Sequence, residues 1–222
     1  MQVEWYGQSA FRLVGGGATV AIDPFGDMSA LSGRGLRWDY PAIEGVEADL
    51  LIVTHEHGDH NGVEAIGGDP FVVRSLAGTF DSPLGQVVSV ASEHDARAGT
   101  ERGHNTIVCF ALDGIRVCHM GDLGQATLRE EQREAIGAVD LLFVPVGGMA
   151  TIGAAAAAEV VAALRPRWVV PMHYRTPRIG FLETAEEFLG GYERVVRLQT
   201  SLFETGQLAE SDGPTIVVPA AP

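Results

Sequence analysis

Residues 50–62 carry the side chains best suited to chemistry. The apolar run Leu50–Val53 is typical of a buried strand, and Thr54 ends it. Four metal-ligating side chains follow within six residues: His55, His57, Asp59 and His60. Neutral imidazole suits zinc, iron and nickel, and a carboxylate adds affinity for harder cations. The pattern therefore indicates a metal site at a strand end rather than a set of solvated surface histidines.

The spacing of these side chains separates them into two groups. His55 and His57 are two residues apart, so an extended segment projects them to the same side. Gly58 allows a sharp turn, and Asp59 and His60 lie beyond it and can face another direction. One short loop can therefore supply ligands to two adjacent cations.

Three later segments place the same residue types after predicted strands. His94, Asp122 and His173 follow apolar runs at 86–91, 115–120 and 168–171. Converging strand ends are where α/β proteins usually place ligand sites. Five imidazoles and two carboxylates suffice for two cations with three protein ligands each and one bridging carboxylate. The coordination positions left open are typical of a catalytic metal site.

The remaining chain reads as two successive β-rich blocks, each with helices. This order predicts an α/β fold in which two packed sheets carry helices outside and a site along one rim. The 222 residues are predicted to form one domain, 1–222. Thr151 is the predicted N-cap of a helix over 154–164. The loop 26–49 is a candidate lid over the substrate, although Trp38 and Tyr40 suit packing onto the body equally well.

Composition excludes several classes of function. The formal charge is −14, which argues against nucleic acid and against an anionic membrane surface as partners. The chain contains no lysine, so Schiff-base catalysis and a P-loop are unavailable. An anionic substrate stays open, because a divalent metal site can be locally positive.

The sequence also predicts a cytoplasmic protein. Its N-terminus lacks the basic and apolar regions of a signal peptide, and glycines and a proline interrupt the uncharged stretch 141–158. Cys109 and Cys118 flank an Asp113-Gly114 turn and would face each other across a hairpin. A disulfide is conceivable there, but two reduced buried thiols are favoured.

The motifs resemble those of the metallo-β-lactamase-fold superfamily. Thr-His-Glu-His-Gly-Asp-His at 54–60 matches its His-x-His-x-Asp-His signature, and His94, Gly121-Asp122 and His173 follow in the matching order. The chain is most similar to small single-domain bacterial metal-dependent hydrolases related to L-ascorbate-6-phosphate lactonase and, more distantly, to N-acylphosphatidylethanolamine phospholipase D. The segments 22–25, 119–124 and 145–148 fit that group too.

The resemblance implies a four-layer αββα sandwich with a binuclear metal site. The ligands of the first metal would be His55, His57 and His94. Those of the second would be Asp59, His60 and His173, with Asp122 bridging. Two divalent ions, Zn²⁺ foremost with Mn²⁺, Fe and Ni²⁺ open, would hold a bridging hydroxide that cleaves a small ester, lactone or phosphodiester. Asp59 would be catalytic as well, orienting the nucleophile or receiving its proton.

Five further residues are candidates for supporting the ligands or contacting substrate: Asp23, His104, His119, Tyr174 and Arg175. Asp23 resembles the family's carboxylate that orients a ligand histidine, or is a turn cap. Arg175 suits recognition of a carboxylate or phosphate, or a surface salt bridge. Glu56, between two ligands, is predicted to point away.

Two other functions are compatible with these residues. An iron-dependent redox enzyme of the same fold is one, and a metal-dependent binding or sensor protein without significant turnover is the other. The hydrolase is favoured because the predicted ligand set is complete and leaves open coordination positions. The expected partner is a small-molecule substrate, and a homo-oligomer is left open.

Overall fold

The computed structural model describes residues 1–32, 36–209 and 212–222. The strands in chain order are β1 (Gln2–Gly7), β2 (Ala10–Gly15), β3 (Ala18–Ile22), β4 (Val46–Glu47), β5 (Leu50–Val53), β6 (Ile66–Gly67), β7 (Phe71–Arg74), β8 (Gly78–Ser82), β9 (Gly85–Glu93), β10 (His104–Leu112), β11 (Ile115–His119), β12 (Leu141–Pro145), β13 (Trp168–Met172), β14 (Val195–Arg197), β15 (Leu202–Glu204) and β16 (Thr215–Val218). The helices are α1 (Ser29–Ser32), α2 (Glu130–Ile136), α3 (Ala154–Leu164) and α4 (Glu186–Leu189), with 3₁₀ turns at Val63–Ala65 and Thr205–Gln207.

Two large sheets pack face to face. The first sheet has the order β15-β1-β2-β3-β5-β7 and the second β14-β16-β13-β12-β11-β10-β9-β8. Strand β1 shows the expected alternation, since Val3 and Trp5 are buried between the sheets. The rings of Phe11 on β2 and Phe143 on β12 meet across the interface with centroids 4.3 Å apart. Burial of these apolar side chains drives the two sheets together.

Strand direction brings the predicted site residues to one rim. Strands β11, β12 and β13 are mutually parallel, and β10 is antiparallel to both β11 and β9. The carboxyl ends of β9, β11 and β13 therefore lie at the same edge of the second sheet. In the first sheet β3 and β5 are parallel as well. Thr106 at the start of β10 joins the sheets there, because its N–H and hydroxyl both donate to the Thr54 carbonyl.

Helices cover the outer face of the second sheet, and short segments cover that of the first. On the second sheet, α2 packs against β9 and β10, and α3 buries Val160 and Val161 in the main core. On the first sheet, Ala21 and Leu51 are covered by short segments that contribute Val63 and Ile66. The α/β sandwich predicted from the sequence is confirmed, with its helical layer thinner over the first sheet.

Some local predictions were wrong. Helix α3 begins after Gly153 and has no side-chain cap, so Thr151 is not its N-cap. Strands β4, β6, β8 and β15 were not predicted. Each is two to five residues long and is fixed mainly by its neighbour in a sheet, which the local sequence does not reveal.

The predicted lid loop packs onto the body. Tyr40 is buried, and the Trp38 ring lies 5.1 Å from that of Phe25 between centroids. The Tyr40 hydroxyl also shares a hydrogen bond of 2.9 Å with Thr176. Residues 33–35 of this loop lie outside the described residues. The aromatic side chains therefore anchor the loop, and its role as a lid stays a prediction.

The stretch 141–158 forms β12, a loop and the first part of α3, as the sequence predicted. Within the described ranges, none of the helices has the length and apolar character needed to cross a bilayer.

The two cysteines lie where the hairpin register places them. Cys109 on β10 faces Cys118 on β11, and Asp113 and Gly114 form the two-residue turn with φ of 55° and 74°. Both are free thiols in the core. Burial, followed by the contact with Cys109, raises the pKa of the Cys118 thiol well above its usual value.

We expect both thiols to resist modification in the folded protein, because the reactive thiolate is disfavoured and access is closed. Titration with Ellman's reagent at neutral pH should detect neither thiol before denaturant is added and both afterwards. Rapid modification of the native protein would contradict this expectation.

Candidate metal centre

Four strands deliver the seven predicted ligands to the rim. The loop after β5 in the first sheet carries His55, His57, Asp59 and His60. The second sheet contributes His94 directly after β9, Asp122 three residues after β11, and His173 directly after β13. The amide of His60 closes the intervening turn on the His57 carbonyl at 2.9 Å. The turn is present as predicted, although Gly58 does not adopt a positive φ to make it.

The first group consists of His55, His57 and His94. Their ligand atoms lie within 4.8 Å of one another. The ring centroids are 4.7 Å apart for His55 and His57 and 4.7 Å apart for His55 and His94. His57 is exposed while the other two are buried, so this group opens to solvent on the His57 side.

The second group consists of Asp59, His60, Asp122 and His173. Asp122 Oδ2 lies 3.2 Å from Nε2 of His60 and 3.2 Å from Nε2 of His173. The same oxygen lies 3.3 Å from His94 Nε2 and 4.0 Å from His55 Nε2, both in the first group. One carboxylate oxygen therefore faces both groups.

The donor atoms fit divalent cations. Several buried ring nitrogens make no hydrogen bond of acceptable geometry: Nε2 of His55, His60 and His94, and Nδ1 of His94 and His173. Buried polar atoms normally make hydrogen bonds, so a cluster of ring nitrogens without a partner requires an explanation. Within the described ranges, Asp59 and Asp122 lie close to imidazoles, and no arginine pairs with either carboxylate. Bound cations would satisfy the nitrogens and balance the carboxylates.

Burial and the close packing of charged groups shift the pKa values of several ligand candidates. Burial, followed by the repulsion of His60, holds the pKa of His55 far below its ordinary value. Burial also opposes charge on His60, but the carboxylates of Asp122, Asp59 and Asp23 outweigh it and raise the pKa of His60 well above normal. Burial likewise opposes charge on Asp122, yet His173 and His60 hold its pKa well below the usual range. A proton and a metal ion would therefore compete for the His60 ring nitrogen.

Asp23 makes hydrogen bonds to the loop that carries the ligand candidates. Its carboxylate accepts the Thr54 N–H and hydroxyl, each at 2.7 Å, and lies 3.0 Å from His60 Nδ1. The residue is fully buried and has a φ of 46°, a left-handed conformation that costs about 1–3 kcal/mol outside glycine. The predicted orienting role is thus favoured over a simple turn cap. His173, with a φ of 51°, shows the same strain.

We expect Asp23→Asn to weaken metal binding by about 10- to 100-fold, because His60 loses the carboxylate that fixes its ring. Competition between the protein and a zinc-chelating indicator would measure this affinity. Asp27→Asn is the matched control, since Asp27 is exposed and accepts the Ser29 N–H rather than a group of the ligand loop. Equal metal affinities of the wild type, Asp23→Asn and Asp27→Asn would show that Asp23 does not support metal binding.

His119 and Asn105 position Asp122. His119 Nε2 donates to the Ser9 carbonyl, and its Nδ1 accepts the Gly121 N–H. Asn105 accepts the Asp122 N–H at 3.0 Å and donates to the Met120 carbonyl. The predicted supporting role of His119 fits this geometry. Asn105 and Ser9, whose hydroxyl lies 3.3 Å from Asp122 Oδ1, were missed, because no local pattern distinguishes them from ordinary strand and turn residues.

Two cavities lie near this rim. A cavity of about 310 Å³ is lined by His55, His57 and His104, among others, so His104 does reach the site. A larger one of about 670 Å³ is lined by the Phe25–Ser29 segment and by Trp38 and Tyr40, without any of the seven ligand candidates. Of these two cavities, the smaller one is lined by ligand candidates, namely His55 and His57 of the first group.

The two residues after His173 differ in position, and Arg175 stays a predicted substrate contact. Tyr174 is 8% exposed and stacks on Trp5 with centroids 5.6 Å apart, so it belongs to the core. Arg175 donates through Nε to the Leu182 carbonyl, which gives it a structural contact. Glu56 points away from the ligands, as predicted, and pairs with Arg74 at 2.7 Å.

A two-sheet α/β sandwich with this histidine- and aspartate-rich rim defines the class of metallo-β-lactamase-fold enzymes. The family model described as the beta-lactamase superfamily domain matches residues 2–173. The chain belongs to this superfamily and, within it, to the UPF0173 metal-dependent hydrolases.

Individual relatives show the extent of the likeness. The UPF0173 metal-dependent hydrolase of Thermococcus kodakarensis is 33% identical, over 90% of this chain and 96% of its own. That of Thermococcus onnurineus is 32% identical, over 79% of this chain and 85% of its own. A solved structure of a metallo-β-lactamase superfamily protein from Thermotoga maritima is 29% identical, with a TM-score of 0.79 over 100% of this chain and 99% of that one. The likeness therefore covers the whole sandwich, including the rim.

Proposed function

We propose that this enzyme hydrolyses a small ester, lactone or phosphodiester with two divalent metal ions, and that Zn²⁺ is the first ion to test. His55, His57 and His94 would hold one ion, and Asp59, His60 and His173 the other. The observation that carries the proposal is the position of Asp122 Oδ2, which faces imidazoles of both groups at 3.2–4.0 Å. A shared carboxylate is what a pair of adjacent cations requires.

Bound divalent ions supply a hydroxide nucleophile at neutral pH and polarise the substrate oxygen that gains negative charge. The protein residues divide the other tasks. The Asp59 side chain is 23% exposed and that of Asp122 only 3%, so Asp59 is the carboxylate that can orient the nucleophile or receive its proton. Asp23 holds His60, while Ser9 and Asn105 hold Asp122.

The cavity limits the size of the substrate. Its volume of about 310 Å³ lies at the small end of the usual range for ligand pockets. Exposed His57 lines it, so the scissile bond would approach the metal residues from the side of the first group. These features support a small-molecule substrate.

Elemental analysis combined with a substrate panel tests the proposal. The panel contains a lactone, p-nitrophenyl acetate and bis-p-nitrophenyl phosphate. We expect about two metal ions per chain, loss of turnover on chelation and its recovery when zinc or manganese is returned. A single ion per fully active chain would overturn the binuclear site. Turnover that survives complete metal removal would overturn metal-dependent catalysis.

A further inference from the structure

The cavity at the first histidine group also contains unpaired donor side chains. Arg102 and His104 line it together with His55 and His57. Both are exposed, and in the described parts of the chain neither side chain makes a hydrogen bond or an ion pair. A guanidinium and an imidazole are thus available to a ligand that reaches the metal residues.

The acidic residue in the same cavity does not neutralise Arg102. Glu56 is bound by Arg74, with Nε 2.9 Å from Oε1 and Nη2 2.7 Å from Oε2. The Ser75 hydroxyl also donates to Glu56 at 2.7 Å. The charge of Glu56 is therefore already compensated.

Arg102 lies on a loop that is held in place. The Asp95 carboxylate accepts four backbone N–H groups at 2.7–3.1 Å, those of Arg97, Gly99, Glu101 and Arg102. Loops that carry a binding group on such internal scaffolding lose little conformational freedom when a ligand binds. Asp95 therefore fixes the backbone conformation of this loop.

The same loop is tied to a metal-ligand candidate. The His94 N–H donates to the Gly103 carbonyl at 3.1 Å, and His104 pairs with Glu93 across β9 and β10. The backbone of Arg102 and His104 is therefore fixed relative to His94. A group bound by these two side chains would be held at a set place relative to the reacting bond.

We propose that Arg102, together with His104, binds an anionic group of the substrate, a carboxylate or a phosphate, while the hydrolysable bond lies at the metal residues. This inference rests on the hydrolase function proposed above and specifies its substrate class. The planar guanidinium matches both oxyanions bidentately. Because the chain carries a formal charge of −14, an anion requires such a local cationic subsite to overcome repulsion from the rest of the surface.

The test uses three ligands that differ in one group. Butyrate, succinate and 3-phosphonopropionate each offer a carboxylate to the metals, and the last two carry a second anionic group. Affinities for the zinc-loaded full chain are measured by isothermal titration calorimetry. Arg102→Ala should reduce the preference for the dianions over butyrate by about five- to tenfold. His104→Gln should reduce it less, because an imidazole lacks the parallel N–H donors with which a guanidinium binds an oxyanion.

Arg97→Ala is the matched control. Arg97 lies on the same loop, does not line the cavity, and pairs with Glu101 at 2.7 Å. Its three affinities should equal those of the wild type. The dianion that loses more affinity in Arg102→Ala identifies the favoured group, carboxylate or phosphate. Retention of the wild-type preference in Arg102→Ala, or equal weakening of all three ligands, would overturn the subsite.

Hydrolysis of the neutral ester p-nitrophenyl acetate by the same wild-type preparation separates the two proposals. If the ester is hydrolysed but neither succinate nor 3-phosphonopropionate binds better than butyrate, the subsite is wrong and the hydrolase stands. If no member of the substrate panel is hydrolysed while Arg102→Ala selectively loses the dianions, the anion subsite stands and the proposed reaction is wrong.

Discussion

Asp122→Ala should lower hydrolysis by roughly a thousandfold, equivalent to about 4 kcal/mol of transition-state stabilisation. The metal content should fall at the same time. Asp122 Oδ2 is the oxygen nearest to imidazoles of both groups, so its removal leaves each prospective ion with fewer protein ligands. It also leaves His60 with less compensating negative charge in a fully buried position. Elemental analysis and kcat/KM on the preferred panel substrate measure the two effects.

Glu56→Ala is the control for this variant. Glu56 lies in the loop that carries His55 and His57, but it is exposed and bound to Arg74, so its removal should change metal content and rate by less than about twofold. An Asp122→Ala protein that kept two metals and the full rate would show that the carboxylate is not shared between the groups. A large loss in Glu56→Ala would place Glu56 in the site instead.

Gly147→Ala and Gly124→Ala should each destabilise the fold by about 2–4 kcal/mol and reduce metal binding. A Cβ at Gly147 would lie 2.1 Å from the His173 carbonyl oxygen, and one at Gly124 would lie 2.2 Å from the His94 carbonyl carbon. Backbone atoms cannot move aside as a flexible side chain does. Each methyl group must therefore displace the segment that carries one ligand histidine.

The two variants act on different groups, which makes them informative together. Gly124→Ala displaces His94 of the first group, and Gly147→Ala displaces His173 of the second. Urea unfolding and elemental analysis follow stability and metal content. Gly206→Ala is the control, because no atom lies within 4 Å of its added Cβ and its φ is not positive. Wild-type stability and metal content in both site variants would mean that the loops relax without cost.

Local chemistry could be predicted because it depends on residues close together in the chain. The apolar run Leu50–Val53 ends where His55 begins, and this order indicates a strand followed by a ligand loop. The hairpin at Asp113 and Gly114 is fixed by its two-residue turn, which sets Cys109 opposite Cys118. Spacing separated the four candidates of the 55–60 loop into two groups, and the resemblance to a known family assigned His94, His173 and Asp122 to them.

Residue order predicted the candidate ligand residues and the strand ends that carry them, and the family resemblance indicated the class of enzyme. The resemblance implied that Asp122 bridges the groups, but the folded structure was needed to show that Oδ2 is the oxygen facing both, that Asn105 holds Asp122, and that Asp95 accepts the N–H groups of the loop carrying Arg102. The physical reason is that these contacts join segments through the packing of two sheets or through the conformation of an irregular loop. Hydrophobic periodicity specifies which face of a strand is buried, but not which residues of another strand will meet it.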